Sequence, residues 1–306
     1  MLVQKENLKI YLIKRCLIAL LVICFAAILS FADTNKALTQ KLDTLRNIHG
    51  VYTFAVIGDN RSGGDDYRDL VKRAMTYRPD FMVNTGDMVG SPKKNLWADF
   101  WEMSKPVTVP YFLTVGNHDV HDQNSEELYK EETDLPGNKL YYSFTVGDSL
   151  FVFLDSNIPG QERKITSEQY NWLEKMLSTS RAEHKFVFVH HPLYPDKGKG
   201  YHYGGSLDKY PEERDRLNAL LVKYKVNIVF VGHEHLYSKK MVDGVMHVIT
   251  GGGGAMLYAT DNKGGFYHFI LVTVNGNKVT GRAIDINGKV RDTFQLQEIG
   301  FSSAQL

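Results

Sequence analysis

Residues 52–61 read YTFAVIGDNR. Six strand-prone residues run on without a break and stop at Gly58-Asp59. A short apolar run closed by turn residues predicts a buried strand, and the carboxylate behind it lies at the strand's carboxyl end. The same grammar recurs down the chain. FMVN (81–84) leads to Gly86-Asp87, and YFLTV (111–115) leads to Gly116-Asn117-His118-Asp119. KFVFV (185–189) leads to His190, and VNIVFV (226–231) leads to Gly232-His233-Glu234-His235. Between these runs, apolar residues at helical spacing predict helices over 66–77, 95–103, 167–178 and 211–224. Ser167 is a plausible N-cap, and Pro211 suits a first turn. Residues 140–146 and 149–154 predict a hairpin about Gly147-Asp148.

Beyond Tyr237 only strand patterns follow: VMHVIT (245–250), FYHFILVTV (266–274) and KVTGRAIDI (278–286). Strand–helix alternation followed by strands predicts one α/β domain over 51–298 with a β-rich C-terminal part. A polar lead-in occupies 33–50, with helical character around 37–46. The run Gly251–Gly254 looks like a wide turn; it lacks the Lys-Ser/Thr of a phosphate-cradling loop.

Residues 1–32 are of another kind. Lys5, Lys9, Lys14 and Arg15 precede an uncharged apolar run that closes on Ser30-Phe31-Ala32. A basic region, an apolar region and a small-x-small site are the layout of a signal peptide, so cleavage is expected after Ala32 and export to the periplasm or medium. The rival reading is an uncleaved anchor that leaves the domain outside the membrane. The run is short of the roughly 20 residues a spanning helix needs. Both cysteines, Cys16 and Cys24, lie in this segment, so the chain after Ala32 has no disulfide, thiol nucleophile or thiolate metal site. The segment carries four basic residues and one acidic, Glu6, and its removal turns a formal charge of +1 into −2. No basic run or excess marks a nucleic-acid binder, and no stable protein partner is implied.

Ligands of α/β sheets bind beyond the carboxyl ends of the strands. If the five strands share that edge, the clusters bring together Asp59, Asp87, Asn117, His190, His233 and His235. Carboxylate, amide oxygen and imidazole suit borderline divalent ions such as Mn, Fe, Zn or Co. Six donors are too many for one closed zinc site and natural for two metal ions sharing a carboxylate. The glycines ahead of the Asp and His residues are expected to let the backbone turn sharply.

The ordered set GDNR (58–61), GDMVG (86–90), GNHD (116–119), VHHPLY (189–194) and GHEHLY (232–237) resembles the calcineurin-like metallophosphoesterases, and the last two motifs the purple acid phosphatase branch. The resemblance spans 52 to about 254. It implies two mixed β-sheets packed as a sandwich flanked by helices. It implies Asp87 bridging two metal ions, Asp59 and His235 on the first, and Asn117, His190 and His233 on the second. His118 would sit beside the phosphate, with Asp119 orienting its ring, and a metal-bound hydroxide would attack phosphorus. The substrate would be a small phosphomonoester or phosphodiester.

Two positions depart from the family pattern. Many members carry a His where Arg61 stands, and purple acid phosphatases carry a Tyr where Gly90 stands. The first metal thus lacks both usual extra ligands. Arg61 stays protonated and cannot ligate; its fork could grip a substrate phosphate instead. A catalytically impaired protein that binds phosphate or nucleotide on the same fold is the alternative, and a two-metal peptidase a weaker one. His191 points away by strand alternation, and His202 lies in a loop that could line the substrate mouth.

Overall fold

β1 (Tyr52–Ile57) turns Phe54 and Val56 to one side and Ala55 and Ile57 to the other, and all four are fully buried. A strand covered on both faces is why the sequence reads as an unbroken apolar run. The computed structural model describes residues 38–133, 135, 139–198 and 202–297. The signal-peptide reading falls on residues outside that set. Among the described residues no helix is long and apolar enough to cross a membrane.

One sheet takes the order β12 (Val290–Gln297), β11 (Lys278–Asp285), β10 (His268–Asn275), β1, β2 (Phe81–Asn84), β3 (Tyr111–Leu113). The other takes the order β4 (Tyr142–Val146), β5 (Ser149–Leu154), β6 (His184–Val189), β7 (Ile228–Val231), β9 (Val245–Thr250), β8 (Tyr237–Val242). The parallel strands β1–β2–β3 run to one edge of the first sheet, with antiparallel strands on the other side, and β5–β6–β7–β9 lie in the middle of the second, with antiparallel β4 and β8 outside them. Both sheets are mixed, and they pack face to face. The C-terminal part is β-rich, as expected: β8 and β9 extend one sheet and β10–β12 the other.

Phenylalanines fill the space between the sheets. Phe54 stacks on Phe81 at 5.1 Å and meets Phe151 and Phe186 of the opposite sheet edge-on at 5.3 Å. Such ring pairs add about 0.5–1.5 kcal/mol each beyond the area they bury. Helix α1 (Leu38–Leu45) contributes Leu38 and Leu45 to this layer.

The outer faces are covered by helices. α2 (Gly64–Met75), α3 (Lys94–Ser104) and α4 (Gln123–Thr133) lie on the first sheet. α5 (Ser167–Thr179) and α6 (Pro211–Lys223) lie on the second. α2 buries Tyr67, Leu70, Val71 and Ala74, the spacing of one helical face. Ser167 is the first residue of α5, with φ 52°, and not its cap; Thr166 precedes it without a side-chain capping bond. α4 carries few apolar residues, and what holds it is Tyr129, wedged against Trp97 at 5.6 Å. Its start is marked by Asp122, whose carboxylate accepts the Ser125 backbone N–H at 2.9 Å.

Candidate metal centre

The strands β1, β2, β3, β6 and β7 deliver their polar ends to one place. Asp59, Asp87 and His190 each offer a donor atom within 4.8 Å of the others, and all three are buried. Asp59, Asp87 and His233 stand in the left-handed region, at φ 57°, 59° and 68°. Non-glycine residues occupy it at a cost, and such strain gathers at functional sites. The turn expected of the preceding glycines is made by the functional residue itself at Asp59 and His233, and at the second motif Gly86, at φ 108°, shares it with Asp87. Gly116 serves close approach instead: a Cβ there would collide with Asp87 Oδ1.

The histidines share one device. His190 Nδ1 donates to the Thr85 carbonyl at 2.9 Å, His235 Nδ1 to Met256 at 2.6 Å, and His118 Nδ1 to Gly90 at 3.0 Å. A carbonyl can only accept, so each proton is placed on Nδ1 and each Nε2 is left with a lone pair. His190 Nε2 then faces Asn117 Oδ1 at 3.0 Å, Asp87 Oδ1 at 3.3 Å and His233 Nδ1 at 3.3 Å. Among the described residues buried His235 Nε2 has no hydrogen-bond partner, and it lies 3.5 Å from Asp59 Oδ1. The oxygens of Asn117 and Asp87 facing the His190 Nε2 lone pair are costly without a cation between them. The donor set, two carboxylates, an amide oxygen and three imidazoles, fits divalent ions of the Mn, Fe, Zn and Co type.

Charge is arranged to suit. Burial works to raise the Asp87 pKa, but His190, His118 and Arg61 around it hold it below the usual carboxylate value. Burial, reinforced by His191 and His190, holds His233 well below the usual histidine value. It is therefore neutral, the form that binds metal.

Asp119 does something other than expected. Its carboxylate accepts the backbone N–H of Gly116 at 2.8 Å, of Asp87 at 2.9 Å and of Val89 at 3.1 Å. None of these bonds reaches the His118 ring, whose Nδ1 is held by Gly90. A short side chain at the base of its own loop meets the amides beneath it before the ring of its chain neighbour. Asp119 thus ties the second and third motif loops together.

Arg61 bonds Asp87 Oδ2 through Nε at 3.2 Å and Tyr258 Oη through Nη2 at 3.4 Å. Tyr258 stacks flat on His235, centroids 4.0 Å apart and planes 11° from parallel. Sequence reading missed Tyr258. The signal was Gly251–Gly254, read as a wide turn. Gly253 N–H donates to the Gly58 carbonyl at 2.8 Å and Ala255 N–H to Asp59 at 2.9 Å, which brings the following residues into the site. His202 also reaches the cluster: its ring lies 4.1 Å from that of His233, and its backbone N–H donates to Glu234 at 2.8 Å. His191 does not point clear of the cluster: its ring packs 4.5 Å from that of His233, with Nδ1 2.8 Å from Ser156 Oγ.

A family model described as calcineurin-like phosphoesterase matches residues 36–237. The chain belongs to the calcineurin-like phosphoesterase family. Within that family it falls in the purple-acid-phosphatase-like branch. It is 28% identical to purple acid phosphatase 21 of Arabidopsis thaliana over 227 residues, 66% of this chain and 49% of that one. It is also 28% identical to probable inactive purple acid phosphatase 27 of the same plant over 254 residues, 64% of this chain and 40% of that one. This calcineurin-like chain spans about half the length of the curated relatives it matches, or less. Its fold superposes on that of a purple acid phosphatase from yellow lupin (Lupinus luteus) seeds with TM-score 0.69 at 20% identity, over 82% of this chain and 55% of that one.

Proposed function

We propose that the protein hydrolyses small phosphomonoesters or phosphodiesters with two divalent ions. Asp59, Asp87 and His235 would hold the first ion, and Asp87, Asn117, His190 and His233 the second. When bound, such ions supply Lewis acidity toward phosphoryl oxygens and a nucleophile derived from water at neutral pH. The observation that carries this reading is the crowding of Asn117 Oδ1, Asp87 Oδ1 and His233 Nδ1 around the lone pair of His190 Nε2.

The chain's own residues complete the chemistry. Gly90 aims His118 with the Nε2 lone pair inward, 3.9 Å from Asp87 Oδ2, where a proton gained there can be given to a leaving oxygen. Arg61, 22% exposed, has guanidinium donors to offer a phosphate from the rim. Asp119 ties the loops of Asp87 and Gly116 together from below. The composition of residues 1–32 supports export of the domain, with cleavage near Ala32 or retention as an anchor.

A second reading is a phosphate or nucleotide binder that does not turn over. Arg61 seated on Asp87 favours it, as does similarity to a relative named probable inactive.

The deciding experiment strips the purified protein of metal and assays a chromogenic phosphomonoester and the matching diester with and without Mn²⁺. A protein carrying both Asn117→Ala and His118→Ala controls for contaminants. Turnover restored by metal and absent from the control supports the hydrolase. Phosphate binding without turnover on any of Mn²⁺, Zn²⁺, Fe²⁺ or Co²⁺ supports the second reading.

A further inference from the structure

The two sides of Asp87 are not alike. Oδ1 accepts the His118 backbone N–H at 3.0 Å and faces His190 Nε2 at 3.3 Å, on the side of Asn117 and His233. Oδ2 takes Arg61 Nε at 3.2 Å, on the other side. Arg61 reaches there with little freedom. Its backbone N–H donates to the Asp87 carbonyl at 3.0 Å, and Nη2 donates to Tyr258 Oη. Tyr258 is itself held flat against His235. The guanidinium is thus fastened to the bridging carboxylate, the partner loop and the ring covering the first-metal histidine.

A guanidinium keeps its charge at every working pH. A fixed unit charge a few ångströms from a metal position opposes an incoming divalent ion and already neutralises the carboxylate that ion needs. The donors are also unequal in number. One side gathers Asp87 Oδ1, Asn117, His190 and His233, and the other has Asp59, His235 and an Asp87 oxygen already taken.

We infer that Arg61, latched by Tyr258, stands in for much of the charge of the first metal ion. The centre therefore fills unequally. One divalent ion binds tightly on the His190 side, and a second enters only by moving Arg61 off Asp87. Tyr258 is a positioning residue that acts through Arg61. This inference rests on the metal-dependent reading above.

The test is the binding of Mn²⁺ alone to the full metal-stripped chain, followed by calorimetry and by metal content after equilibrium dialysis. Wild type is expected to take one tight equivalent and a second at least about tenfold weaker. Arg61→Gln, neutral and of similar length, should keep the tight step and tighten the weak one by about tenfold or more. Tyr258→Phe keeps the ring on His235 and frees the latch, and should tighten the weak step by about threefold, the worth of one modest hydrogen bond. If Arg61→Gln loses the tight equivalent together with its far-UV circular dichroism, it has lost its fold and Tyr258→Phe decides; loss of the tight equivalent with the fold kept would overturn the inference. Two equal equivalents in wild type, or a weak step indifferent to both substitutions, would overturn the inference and leave the metal-dependent reading standing. No Mn²⁺ bound by any of the three proteins would overturn both.

Discussion

Asp59 and His233, 174 positions apart, are joined directly: the Asp59 carboxylate accepts the His233 backbone N–H on both oxygens, at 2.9 and 3.0 Å. The bond ties the end of one sheet's central strand to the end of the other's and holds His233 in its left-handed conformation. Asp59→Ala leaves that buried amide without a partner. The metal-free variant is expected to lose about 1–3 kcal/mol in urea denaturation. Unchanged metal-free stability would show that Asp59 matters only as a ligand.

Asp119→Ala should be more damaging than a lost ring contact. It would strand three buried backbone amides, those of Gly116, Asp87 and Val89. A loss of about 3 kcal/mol or more is expected without any metal present. Equal stability of wild type and variant would show that the three amides do not depend on Asp119.

His118→Ala separates chemistry from binding. The side chain of His118 makes its ordered bond only to the Gly90 carbonyl and is partly exposed. Its removal should lower kcat on a phosphomonoester by about 10²–10⁴, the usual worth of a general acid. Mn²⁺ binding should stay within about threefold of wild type. A parallel collapse of metal binding would make His118 part of the cation site.

His247 and His268 supply a pH dependence independent of the centre. Burial holds both down, from the ordinary 6.5 to about 4. As pH falls below 6.5 the unfolded chain takes up protons that the folded chain refuses, so stability is lost from 6.5 down toward 4. Among the described residues neither ring nitrogen of His247 has a hydrogen-bond partner, and the ring packs edge-on to Tyr194 at 5.0 Å. His247→Phe keeps that packing and removes one ionisation. Urea midpoints measured at pH 7.5 and 5 should fall less in the variant than in wild type. An equal fall in the two proteins would show that His247 protonates freely in the fold.

Most strands were legible because burial on both faces writes them as unbroken apolar runs, and 52–57 and 245–250 match β1 and β9 to the residue. α4 was not legible. Its Gln123–Thr133 segment is polar, and the contact that fixes it, Tyr129 on Trp97, comes from another helix. β8 and β12 fell inside the stretch read as strands, 237 to about 294, but were not delimited, because as edge strands with polar or charged faces they become regular through pairing with β9 and β11.

The sequence by itself determined which strand-end groups reach the centre. A strand that ends in Gly-Asp or Gly-His puts that side chain at the sheet's edge wherever the sheet lies, and the motif order follows from the chain. Tertiary structure decided what those groups do to one another. That Asp119 bonds amides and not a ring, that Tyr258 covers His235, and that Arg61 occupies one oxygen of Asp87 all depend on loops from different strands meeting at hydrogen-bond distance. Local pattern cannot encode those distances, because they are set by how two sheets pack across a layer of phenylalanines.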